Sequence, residues 1–175
     1  MSRHRFPRIF LKPGELFFAQ EPSLITTLLG SCVTVTMYNP RVQAGAICHG
    51  LLPECGDDCD CDALGEYRFV DCAIRSMLKR FATIGVLPMD LEVKVFGGAD
   101  MFDIRPTPRR VASVGELNIN KARQVLESEG LRITAHDVGG DEGRQIYFYT
   151  DTGEVLLRRL GRAGRTTGSA TSNNG

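Results

Sequence analysis

Apolar and polar residues alternate in short runs along much of this chain. The runs at residues 9–11, 15–19, 33–38, 44–51, 91–96, 131–137, 144–150 and 154–160 are rich in β-branched and aromatic residues and predict strands. Two stretches carry a different period. Val70, Ala73, Ile74, Met77, Leu78 and Phe81 recur at helical spacing, with Gly85 placed to end the helix. Asn118 can cap a second helix through Ile119, Ala122, Val125 and Leu126, stopped near Gly130. Many strands and two amphipathic helices predict an α+β sandwich of mixed and antiparallel sheets, with helices on an outer face. Residues 1–160 read as a single domain. The stretch 161–175, rich in Gly, Ser, Thr and Asn, reads as a disordered tail.

The alternation is most informative around Asn39-Pro40-Arg41-Val42. Asn followed by Pro favours a type I turn, and four-residue hairpin loops are commonly built on that turn. With those four residues as the loop, Tyr38 pairs with Gln43, Thr36 with Gly45, Thr34 with Ile47 and Cys32 with His49. Val33, Val35 and Met37 then meet Ala44, Ala46 and Cys48 on a core face. Cys32, Thr34, Thr36 and His49 share the other face, and a one-residue slip would separate thiol from imidazole.

A thiol beside an imidazole is a nucleophile beside a base. The imidazole takes the thiol proton and holds an ion pair that lowers the thiol pKa. Gly30-Ser31-Cys32, a small-residue approach to the strand, can bare backbone N–H groups for an oxyanion. A third group should orient the ring, and Thr26 and Thr27 are both in range by sequence. A free cysteine or a lone histidine is ordinarily a core residue; their joint placement across one hairpin is what raises the catalytic reading.

Composition narrows the field. Lys+Arg and Asp+Glu number 21 each, so no net field draws the protein to nucleic acid or anionic lipid. Arg3, Arg5, Arg8 and Lys12 make the N-terminus basic, while residues 54–66 hold six acids and no base. No apolar run is long enough for a membrane span or a secretory signal, so the six cysteines read as reduced thiols of a cytoplasmic protein. Cys55, Cys59 and Cys61 have a C-x3-C-x-C spacing, but no second ligand pair is evident and the interleaved Asp57, Asp58 and Asp60 are hard ligands. No metal and no cofactor are expected; Cys72, off the apolar stripe of its helix, reads as a bystander. The glycines of Phe96-Gly97-Gly98-Ala99 and Val138-Gly139-Gly140 lack a phosphate-loop pattern.

The segments LGSCVTVTMYNP and GAICHGLLP, followed by EVKVFGGADMF, VGELNINKA and ITAHDVGGDEGRQIYFYTDTGEVLLRRL, resemble the CheD family of chemoreceptor glutamine deamidases across residues 14–160. The resemblance implies a Cys-His-Thr site on Cys32, His49 and Thr26, the last by its position six residues before the cysteine. It implies Gln-to-Glu conversion on the cytoplasmic helical bundle of methyl-accepting receptors, through a thioester with release of ammonia. It further implies a fold similar to the catalytic domain of cytotoxic necrotizing factor toxins and, in some members, a CheC-type phosphatase partner. Gly30, Ser31, Gly97 and Gly98 are the substrate-groove candidates. Residues 54–62 form a Cys- and Asp-rich loop outside the family motifs. Two other readings compete with the enzyme: a binding module for a CheC-like phosphatase, and a thiol redox sensor built on Cys55, Cys59 and Cys61.

Overall fold

The computed structural model describes residues 6–101 and 111–161; the tail expected over 161–175 lies outside the described residues apart from Gly161. Among the described residues the order is β1 (Arg8–Phe10), β2 (Leu16–Ala19), β3 (Leu24–Leu29), β4 (Val33–Asn39), β5 (Ala44–Gly50), α1 (Cys61–Leu64), α2 (Val70–Thr83), a 3-10 turn (Pro88–Asp90), β6 (Glu92–Gly97), α3 (Val114–Ser128), β7 (Ile133–Val138), β8 (Arg144–Tyr149) and β9 (Val155–Arg159). They form a mixed α+β structure with two mixed sheets, ordered β1-β3-β8-β9 and β2-β5-β4-β6-β7. Each sheet has one parallel pair, β1 with β3 and β6 with β7.

The layers follow from which faces are apolar. Helices α2 and α3 pack on one face of the five-stranded sheet, where Val33, Val35, Met37 and Cys48 meet Ile74, Met77, Phe81, Ala122 and Leu126. The four-stranded sheet covers the opposite face through Ile25, Ile47 and Phe148, and through Leu29, Phe96 and Ile146. Strands β4 and β5 are therefore buried on both sides along their whole length. Each large side chain buried here contributes about 1.5–3 kcal/mol. The polar face read from the alternation is thus interior: Thr34, Thr36 and His49 are all at most 2% exposed.

Several expectations need correction. Strand β3 was not among the expected strands, although its Leu-Ile-Thr-Thr-Leu-Leu run is β-prone. Helix α3 starts earlier than expected, because Ser113 supplies the N-cap by accepting from the Glu116 N–H. Asn118 therefore lies inside the helix, fully buried. The hairpin loop also moves by one residue. Asn39 Oδ1 accepts from the N–H groups of Arg41 and Val42 at 3.0 and 3.1 Å, and Asn39 closes the ladder opposite Ala44. The loop is Pro40 to Gln43, with Gln43 left-handed at φ 50°. Every pair slides by two residues, so that Thr34, not Cys32, stands opposite His49.

Candidate active site

A slide of two residues preserves side-chain facing. Cys32 remains on the same face as His49, but one step beyond the end of β4 and diagonal to the ring rather than opposite it. Diagonal neighbours lie about 7–8 Å apart at Cα, within reach of a thiol and a long aromatic side chain. Cys32 is half-buried at the rim, packed against Leu29, Phe96 and Ile146 between the two sheets.

His49 reaches across the same gap. Its Nδ1 lies 2.7 Å from Thr27 Oγ1, and the Thr27 hydroxyl lies 2.8 Å from the Leu11 carbonyl. A hydroxyl has one proton, and the Leu11 oxygen can only accept. Thr27 therefore donates to Leu11 and accepts from Nδ1–H, which puts the ring proton on Nδ1 and leaves Nε2 with a free lone pair. The contact expected of Thr26 is made by Thr27. Ile25, Thr27 and Leu29 face the sandwich interior, whereas Thr26 projects to the other side of β3, with no hydrogen bond to the ring among the described residues.

The electrostatics also differ from expectation. Burial pushes the Cys32 thiol up, with no opposing charge to lower it. Burial lowers His49 to about 4, against smaller upward pulls from the Leu11 carbonyl and the Glu15 charge. Both shifts favour a resting thiol and a neutral imidazole over the expected ion pair.

The chain before Cys32 is held by its carbonyls. Gly30 C=O accepts from the Ala99 N–H at 2.9 Å and Cys32 C=O from the Gly98 N–H at 2.8 Å. Ser31 C=O accepts from Asn118 Nδ2 at 3.1 Å, and the same amide donates to the Leu51 carbonyl at 2.9 Å. The N–H groups of Ser31 and Cys32 make no hydrogen bond among the described residues. Two backbone donors flanking the thiol are thus left without a hydrogen-bond partner among the described residues. Gly97 and Gly98 back this loop. A Cβ on Gly97, at φ +103°, would collide with the Cys32 carbonyl, and one on Gly98 with Ile119. Sequence reasoning missed Asn118 as a site residue because a buried amide inside a helix has no spacing signature.

Cys48 is buried on the helix-facing side of β5, as its parity required, with its thiol pushed up to about 12. Cys72, expected to be a bystander, instead stands with Cys55, Cys59 and Cys61; Cys55 and Cys59 are joined as a disulfide.

Comparison with known proteins gives a consistent picture. The family described as CheD chemotactic sensory transduction matches residues 51–159. A probable chemoreceptor glutamine deamidase CheD 2 from Geobacter sulfurreducens is 48% identical over 162 residues, 92% of this chain and 96% of its own. The chemoreceptor glutamine deamidase CheD of Thermotoga maritima is 31% identical, over 85% of this chain and 89% of its own. The solved structure of the hypothetical protein YfiH from Bacillus licheniformis aligns at TM-score 0.47 and 13% identity, over 73% of this chain and 50% of that one. A likeness that weak carries no argument. No helix among the described residues is long and apolar enough to cross a membrane.

Proposed function

This chain belongs to the CheD family, and on that premise we propose that it deamidates glutamine side chains of chemoreceptors with Cys32 as nucleophile, His49 as base and Thr27 as the group that orients His49. The observation that carries the reading is the Thr27–His49 bond of 2.7 Å on the same face of the sheet as the half-buried Cys32 thiol.

The steps follow from proton positions. Nε2 of His49 takes the Cys32 proton as sulfur attacks the Gln carboxamide carbon, so charge separates only during attack. The oxyanion is met by the Ser31 and Cys32 N–H groups. The imidazolium, its Nδ1–H held by Thr27, returns a proton to the leaving nitrogen, and ammonia departs from a thioester. Water, deprotonated by Nε2, hydrolyses the thioester to Glu and frees the thiol. Thr27 is a positioning residue: a neutral hydroxyl fixes the ring but cannot balance its positive charge as a carboxylate does.

The finer parts rest on the family resemblance. They are a Gln presented by a helical receptor bundle, a CheC-type phosphatase as partner, a cytoplasmic setting and the toxin-like fold. The test is a mass spectrum of a receptor cytoplasmic fragment co-expressed with the protein. A gain of about one mass unit per converted Gln is expected with wild type and absent with Cys32→Ala. The reading fails if conversion persists in that variant.

A further inference from the structure

The loop between β5 and α2 has no regular structure from Pro53 to Asp60, and α1 is a single turn of 4 residues. So short a helix cannot sustain itself. The N-terminus of α2 also lacks a side-chain cap. Yet four sulfurs converge here from separate positions: Cys55 and Cys59 on the loop, Cys61 at the start of α1, and Cys72 in the first turn of α2. Their Sγ atoms all lie within 4.8 Å of one another. Cys61 is buried, and the other three pack against the edge of the helix-side core.

We propose that Cys55, Cys59, Cys61 and Cys72 form a tetrathiolate site for a structural zinc ion, which fastens the 53–62 loop to α2. The geometry fits. With Zn–S bonds of about 2.3 Å, sulfurs at tetrahedral corners are about 3.8 Å apart. Cys59 Sγ lies 2.7 Å from Cys61 Sγ and 3.0 Å from Cys72 Sγ, so about 1 Å of opening seats the ion. Pairwise oxidation satisfies the set less well. A Cys55–Cys59 disulfide uses two sulfurs and leaves Cys61 and Cys72 against a sulfur that is already bonded, whereas a tetrahedral ion engages all four. Soft thiolates select zinc over calcium or magnesium, so Asp57, Asp58 and Asp60 need not be ligands.

The surroundings already hold the ligand-bearing segments in place. Asp71 accepts from the N–H groups of Cys55 and Cys72 at 3.2 and 2.7 Å. Asp62, next to Cys61, accepts from Ser76 Oγ at 2.6 Å and Lys79 Nζ at 2.8 Å. The first turn of α2 offers the positive end of its dipole to Cys72. Loading takes the reduced cysteines; each thiol gives its proton to solvent and its sulfur lone pair to the ion. The site is independent of the deamidase reading, since Cys32 and His49 are not among its ligands.

The experiment is metal analysis of the full chain purified under reducing conditions without chelator. About one zinc per chain is expected. Replacement by Co²⁺ should give the thiolate charge-transfer and tetrahedral d–d absorption of a four-sulfur site, a readout that needs no variant. Cys61→Ser and Cys72→Ser should each lose most of the metal, while Cys32→Ala, inactive on receptor, should keep it. Alkylation after unfolding in chelator without reductant should label all six cysteines. Substoichiometric metal together with a Cys55–Cys59 disulfide in the peptide map would overturn the inference. So would zinc retained in both ligand variants.

Discussion

In the proposed mechanism each ring nitrogen of His49 has a separate task. Nδ1 is fixed on Thr27, so Nε2 is a base at any pH above the lowered pKa of about 4. Thr27→Val keeps the bulk but removes the acceptor for Nδ1–H. A lost hydrogen bond at a buried site costs about 1–3 kcal/mol, which corresponds to a fall in kcat of about 5–150-fold with little change in KM. Thr26→Val, on the other side of β3, should turn over near the wild-type rate. Steady-state assays on receptor fragments check both, and a larger loss in the Thr26 variant would return the orienting role to the position that the resemblance implies.

Also at the residue scale, an unpaired resting thiol has a kinetic signature. Because burial raises Cys32, its alkylation by iodoacetamide should climb steadily into the alkaline range, with no plateau near neutrality. The acid limb of kcat/KM should fall only as pH approaches about 4, where Nε2 takes a proton. An alkylation plateau near neutral pH would reveal a thiolate–imidazolium pair and defeat the neutral mechanism.

At the scale of elements, α3 reaches the site through Asn118, whose amide ties the carbonyls of Ser31 and Leu51. Because the Ser31 carbonyl points inward to that amide, the peptide plane turns the Cys32 N–H the opposite way. Asn118→Leu keeps the volume and abandons two carbonyls, at about 1–3 kcal/mol each. Removing an oxyanion donor outright costs about 10²–10³-fold, so loosening one should lower kcat by about 10-fold, with Cys32 alkylation unchanged. Denaturant titration beside kinetics separates the two effects; a loss of stability with full kcat would make Asn118 purely structural.

Elements were the level at which the sequence was most legible. The apolar stripe from Val70 to Phe81 predicted α2 because its period is local, and the parity of Cys32, His49 and Cys48 survived the hairpin correction because a two-residue slide leaves facing unchanged. The register itself was not legible. Whether Asn39 opens the loop or closes the ladder depends on its side chain bonding Arg41 and Val42, and on Gln43 accepting a left-handed backbone. Asn marks a turn without fixing which of the two roles it takes, and Gln43 carries no mark of its left-handed backbone, since glycine is the usual left-handed residue.

What reaches across the whole molecule was least legible. Thr27 meets His49 only because the four-stranded sheet lies over the five-stranded one, and local spacing carries no information about that stacking. Cys72 joins the other cysteines for a similar reason: helical periodicity shows that it leaves the apolar stripe, not which loop folds back to it. Both differences from expectation, the Thr27 hydroxyl at the ring and Cys72 in the cysteine cluster, concern contacts between layers or segments.

The stacking has a consequence for global stability. His49, 2% exposed between the sheets, must stay neutral, and its pKa falls from 6.5 to about 4 on folding. The unfolded chain therefore binds a proton that the folded chain refuses between those values, so stability is present above 6.5 and is lost as pH falls toward 4. At 1.36 kcal/mol per pKa unit, the whole shift is worth about 3 kcal/mol. Carboxylates also titrate in this window, so the comparison has to be made against a variant that lacks only this proton site. His49→Gln keeps a polar, hydrogen-bonding side chain and cannot be charged. Denaturant melts between pH 7.5 and 4.5 should show wild type losing about 2–3 kcal/mol more than His49→Gln, because two of the pKa units lie in that interval. Parallel stability curves for the two proteins would mean that His49 titrates normally in the fold, and the neutral resting imidazole on which the mechanism depends would have to be given up.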